Sequence, residues 1–150
     1  MALRKPMVAG NWKMNGSLEL VEQLSSAIKN VESTDLDVVI FPPYPLISQL
    51  VASGIATGSQ TVSENQPGAF TGEVDAQLVK DLGASHTLVG HSERRSIFGE
   101  SNSTVAKKFA RAQQVGLTPI LCVGESEQQR EQGQTEQVVA AQIDAVINEL

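Results

Sequence analysis

The sequence is short of the residue types that build disulfide frameworks and metal centres, with one cysteine and two histidines among its 150 residues. A single cysteine excludes an intrachain disulfide, and so small a ligand set argues against a structural zinc site. There is no basic stripe interleaved with aromatics, and the net charge is −6, which argues against nucleic acid as a partner. No hydrophobic run approaches a membrane span, and the apolar stretch after Met1-Ala-Leu-Arg-Lys is too short for a signal-peptide core. The expectation is a reducing, cytoplasmic setting with no membrane partner. Neither G-x-G-x-x-G nor G-x-x-x-x-G-K-[ST] occurs, so the commonest glycine-loop nucleotide sites find no support.

What is present is enough for one core: 41% hydrophobic residues over the length of a single domain. Residues 6–10, Pro-Met-Val-Ala-Gly, read as a buried strand. Ser17 is a candidate N-cap for a helix with Val21, Leu24, Ile28 and Val31 at helical spacing. Residues 37–41 form a second strand stopped by Pro42-Pro43, followed by a short helix through Leu46, Ile47 and Leu50. Residues 55–62 suggest a third strand, diluted by Gly and Ser. A polar loop over 63–73 holds Phe70, whose place among Gly and Pro fits a loop tip that docks onto something, or equally a phenylalanine folded back on its own domain. Asp75 is placed to cap a helix with Leu78, Val79 and Leu82, ended by Gly83.

Residues 87–89 are a fourth strand. A helix carrying Val105, Phe109 and Ala112 ends at Gly116, and residues 118–123 are a fifth strand. The polar segment 126–136 reads as a solvated loop and the start of a helix. The last helix carries Val138, Val139, Gln142, Ile143, Val146, Ile147 and Leu150. Five strand–helix units in series mean a parallel α/β sheet with right-handed crossovers. Composition leaves two architectures open: a five-stranded doubly wound sheet, or five units of a (β/α)8 barrel that needs about 250 residues.

Polar residues gather at the ends of strands one and four. Asn11 and Lys13 lie two apart, hence on one face if the strand continues, about 6.6 Å apart along it. Val89-Gly90-His91-Ser92-Glu93-Arg94-Arg95 turns from apolar to polar within two residues, and extended geometry would put His91 and Glu93 on one face. A capping histidine in a surface ion-pair cluster is as good a reading of that stretch alone. Lysine in such a cluster needs a partner or a ligand, and Glu93 is a natural partner. Together, Lys13, His91 and Asn11 would suit an anionic carbonyl compound on whose oxygen charge develops.

At these residues the sequence resembles the triosephosphate isomerase family. Residues 10–16 look like its first-strand motif, 68–73 its intersubunit loop, and 89–95 its strand-four signature. Residues 107–110 and 116–125 resemble the helix and strand that follow. The resemblance implies a (β/α)8 TIM barrel, incomplete here, with residues 1–150 as one partial-barrel domain of five βα units. It implies interconversion of glyceraldehyde 3-phosphate and dihydroxyacetone phosphate through an enediolate, without cofactor or metal.

By that resemblance His91 polarises the carbonyl and shuttles a proton. A histidine held neutral by a helix N-terminus is the family's own known arrangement, and the polar run after His91 is placed to begin such a helix. Lys13 stabilises charge on substrate and enediolate, Asn11 hydrogen-bonds a substrate oxygen, and Glu93 holds Lys13. Arg94, Arg95 and Cys122 are structural. Phe70 and Thr71 enter a neighbouring subunit of a homodimer, and Ser59-Gln60-Thr61 departs from the family's Ala-Gln-Asn at that contact. The family's general base, a glutamate in a Tyr-Glu-Pro motif, has no counterpart among these residues; nor do its lid or later phosphate-gripping loops. The expectation is an N-terminal piece of the enzyme, inactive alone and marginally stable with open sheet edges. The other readings are a non-catalytic phosphate-binding module or one part of a split enzyme.

Overall fold

A computed structural model describes residues 3–31 and 35–150. Five parallel strands follow one another in space as they do in sequence: β1 (Met7–Asn11), β2 (Asp37–Phe41), β3 (Gly58–Ser59), β4 (His86–Val89) and β5 (Thr118–Leu121). β1 and β2 pair from Met7 opposite Asp37 to Asn11 opposite Phe41, and β4 pairs with β3 and β5 on its two sides. A single bridge, Ile40 to Thr57, joins the two sets, with the Ile40 amide donating to Ala56 O at 3.0 Å. The result is α/β, five βα units of an incomplete TIM barrel. It does not close: β1 and β5 are not paired with each other among the described residues.

The helices are α1 (Leu18–Lys29), α2 (Ile47–Ala52), α3 (Ala76–Asp81), α4 (Ser92–Ser96), α5 (Asn102–Gln114), α6 (Glu127–Glu131) and α7 (Thr135–Glu149). Alternation along the strands divides the core. Ile40 faces outward beneath α1 and α2 with Val21, Ile28, Leu46 and Leu50, while Val39 and Phe41 face the concave interior with Leu88. Ile120 and Cys122 complete that inner cluster. Phe41 is fully buried, a contribution of about 2–3 kcal/mol from its apolar surface.

Several expectations fare differently in detail. The third strand shrinks from residues 55–62 to two; Thr57 Oγ1 donates to Ile55 O at 2.8 Å just before it, and Ser59 Oγ ties it to β4 through Thr87 Oγ1 at 2.7 Å. Asp75 precedes α3 but its side chain caps nothing; it takes Arg111 instead, at 2.9 Å. Val31 lies beyond the end of α1 and is exposed, and Leu78 of α3 is exposed too. The polar stretch 126–136 contains α6, started by a reciprocal cap between Ser126 and Gln129. Ser17 caps α1 as expected, accepting from the Leu20 amide, and Gly83 and Gly116 take left-handed conformations after α3 and α5.

Two apolar regions stay uncovered. β1 shows Met7 and Val8 to solvent at 41% and 55% exposure, and α7 shows Ile147 and Leu150 at 60% and 65%. Only part of the long stripe on α7, Gln142 and Val146, is buried. Unpaired edges and bare apolar faces of this kind favour association.

Candidate active site

Strand geometry does not carry Lys13 to its place, contrary to the two-residue periodicity expected from the sequence. β1 ends at Asn11, and the last bond along it runs from the Trp12 amide to Phe41 O at 3.0 Å. Lys13 then takes φ +54°, the one positive φ of a non-glycine residue among the described residues. Such a conformation costs about 1–2 kcal/mol unless local bonds offset it. Two side-chain amides supply those bonds: Asn11 Oδ1 accepts from the Lys13 amide at 2.9 Å, and Gln60 Nε2 donates to Lys13 O at 2.8 Å. With Oδ1 committed, the donor end of Asn11 is what it can offer a substrate oxygen. Lys13 Nζ donates to Glu93 Oε1 at 2.7 Å.

His91 likewise departs from the extended geometry. β4 stops at Val89, Gly90 turns at φ +75°, and His91 becomes the N-cap of α4. Its Nδ1 accepts from the Glu93 amide at 3.1 Å. An imidazole nitrogen that accepts carries no proton, so the neutral ring bears its hydrogen on Nε2. Glu93, in the first turn of the same helix, is half-buried. Its carboxyl is held below the usual range by the hydrogen bond from Lys13, against the opposing effect of burial, with the charges of Lys13 and His91 adding smaller lowering effects. The backbone conformations differ from those the sequence suggested, yet the same residues meet. Asn11, Lys13, Gln60, His91, Glu93 and Arg94 line a common cavity of about 240 Å³.

Behind it lies a buried ion pair that sequence reasoning passed over. Glu100 and Lys108 stand 2.6 Å apart with side chains only 6% and 5% exposed. Glu100 also takes Arg94 Nε at 2.7 Å, and Lys108 Nζ donates to Thr61 Oγ1 at 3.0 Å. The guanidinium of Arg94 sits over the Phe98 ring at 4.9 Å. A signal was available: Lys108 falls between Val105 and Ala112 on the apolar stripe of α5, where a lysine needs a buried partner.

Arg95 fastens the turn, with Nε donating to Gly90 O at 2.8 Å and Nη1 to Asn102 Oδ1 at 2.6 Å. Burial pushes the Cys122 thiol up, away from the thiolate that nucleophilic or redox work requires. Phe70 and Thr71 lie apart from this cavity. The loop folds on itself, with the Phe70 amide donating to Gly68 O at 2.9 Å, and Phe70 remains 46% exposed.

A larger cavity, about 610 Å³, opens beside the first between the segments following β4 and β5. Size does not make it the better candidate. It contains Glu125 but neither Lys13, His91 nor Asn11. Glu125 is held below the usual carboxylate range by a bond to its own backbone amide and by Arg130 at 2.7 Å. Among the described residues no group of three or more His, Cys, Asp and Glu is placed to hold a metal ion, and no helix is long and apolar enough to cross a membrane.

The triosephosphate isomerase family model matches residues 6–150. A triosephosphate isomerase of Pseudoalteromonas translucida is 74% identical over 150 residues, all of this chain and 60% of that protein. Those of Thiobacillus denitrificans and Photorhabdus laumondii are 51% and 50% identical, over 97% and 99% of this chain and again 60% of each relative. The chain thus spans about 60% of the length of the curated relatives it matches.

Proposed function

The chain belongs to the triosephosphate isomerase family, and on that premise we propose that it carries the charge-stabilising part of a triose phosphate isomerase site without the proton-abstracting part. The convergence of Asn11, Lys13 and His91 on one cavity carries this reading. In the proposed reaction, glyceraldehyde 3-phosphate and dihydroxyacetone phosphate exchange through an enediolate. Lys13 attracts the anionic substrate to a chain of net charge −6 and offsets the charge that develops on oxygen. His91 Nε2–H and the Asn11 amide donate to the reacting oxygens. Glu93 anchors the Lys13 ammonium at the mouth of the cavity.

Removing a carbon-bound proton needs a carboxylate whose pKa is raised toward working pH. Glu93 and Glu125 are shifted the other way, and each is engaged by a cation. Neither suits the task. The 150-residue polypeptide is therefore inactive by itself, and the base comes from residues equivalent to the other 40% of its relatives. The loop bearing Phe70 and Thr71 enters a second subunit of a homodimer in the cytoplasm.

The test joins this chain to the remaining length of the Pseudoalteromonas translucida relative. The hybrid isomerises triose phosphates, and Lys13→Met lowers its kcat/KM by about 10²-fold or more, the scale of one lost charge-stabilising donor. An inactive but folded hybrid, or a Lys13→Met form as fast as its parent, would remove the proposal.

A further inference from the structure

The geometry points to Gln60 as a positioning residue: its side-chain amide holds the backbone of Lys13 in the left-handed conformation that aims the ammonium at Glu93 and the cavity. The need for it arises in β2. Asn11 lies opposite Phe41, so a continuing β1 would run beside Pro42 and Pro43. In this register Trp12 O faces Pro43, which has no N–H, so the ladder stops there and Asn15 Nδ2 donates to Trp12 O at 3.0 Å instead, leaving Lys13 outside the ladder. Gln60 reaches the Lys13 backbone from the segment following β3, donating Nε2 to Lys13 O at 2.8 Å and to Phe41 O at 2.9 Å. Both acceptors are carbonyl oxygens, so only the NH2 end of the amide can serve, and a carboxylate of the same shape would repel both. Phe41 O already receives the Trp12 amide at 3.0 Å, so the Gln60 amide closes the ladder at the residue where it would otherwise fray. On the other side Asn11 Oδ1 takes the Lys13 amide. The two bonds fix the Lys13 peptide without any help from the sheet. The route to Glu93, 80 residues on, follows from that fixed backbone.

This inference deepens the proposed function and rests on the reading of Lys13 as the cation of the site, but its test does not need catalysis. In the 150-residue chain, Gln60→Met removes both donors and keeps the length of the side chain. Labelled-carboxyl NMR then shows the Glu93 midpoint rising by about 0.5 pH unit or more, as its bond from Lys13 loosens. The strong intraresidue amide-to-Hα contact of a positive φ at Lys13 weakens in the same sample. A midpoint and contact identical to the parent's overturn the inference.

Thermal melts give a second arm that does not depend on the NMR assignment. Glycine accepts a positive φ without strain. In a Lys13→Gly background the Tm lost on Gln60→Met is half or less of that lost with lysine present. Equal losses in both backgrounds would make Gln60 a general structural tie and overturn the assignment. In the hybrid, Gln60→Met lowers kcat and spares KM by comparison, whereas a hybrid inactive before mutation would count against the proposed reaction only.

Discussion

His91 is held by its own neighbours, whereas Lys13 is held from a distance. The imidazole caps the helix it begins and accepts from an amide two residues on. Lys13 stands in a left-handed conformation maintained by Asn11 and by Gln60, 47 residues away, and its ammonium reaches Glu93 80 residues away. A group placed by its own turn is correct once that turn forms. A group placed by long-range bonds depends on the sheet, the loops and the core being assembled first. The difference divides the site into a locally encoded donor and a tertiary one, and each can be broken separately.

The largest expected effect comes from the local arm. In the hybrid enzyme His91→Gln lowers kcat by about 10²–10⁴-fold, the usual worth of a positioned acid–base group, while melting curves stay near the parent's. Next is the pair that ties the arms together. Lys108 joins Thr61, beside Gln60, to Glu100, which holds Arg94 of α4. Lys108→Met leaves a carboxylate in the core with Arg94 as its remaining partner, and denaturant melts show a loss of about 3 kcal/mol. A loss near zero would mean that the pair does not couple the two segments.

The glycines that turn each arm sharpen the contrast. A Cβ at Gly90, at φ +75°, would stand 2.7 Å from Val105 Cγ1 in the core. One at Gly16, at φ +116°, would meet the partly buried Trp12 ring at 2.7 Å and the tip of the Leu46 side chain at 2.9 Å, which can shift. Gly90→Ala therefore costs about 3 kcal/mol and Gly16→Ala about 1–2 kcal/mol, both by equilibrium unfolding.

The smallest effect is acid titration of the Lys13 arm. Because the folded carboxyl of Glu93 lies below its ordinary 4.5, the pair contributes in full above that pH and is lost as pH falls through the lowered value. Lysine-selective NMR sees the ammonium loosen only under those acid conditions.

This division also explains what the sequence made legible. The parallel order of units, the cap at Ser17, the terminators Gly83 and Gly116 and the helix after His91 all depend on contacts within a few residues, and period and cap chemistry reveal them. The family and the incomplete barrel followed from motifs at matching places along the chain. Hidden were Gln60 as the donor to Lys13 O and the Glu100–Lys108 pair beneath Arg94. Their partners are set by packing, which no local pattern encodes. The shortened β3 belongs with them, since its extent is set by where it meets β4, at Gly58 and Ser59.

The central claim is that the donors proposed for the site lie in this chain, with no competent base among its described residues. Coupled-enzyme turnover of glyceraldehyde 3-phosphate by the purified 150-residue polypeptide tests it directly. The account predicts a rate indistinguishable from buffer under conditions where the hybrid turns over readily. Brisk isomerisation by the polypeptide unaided would contradict it.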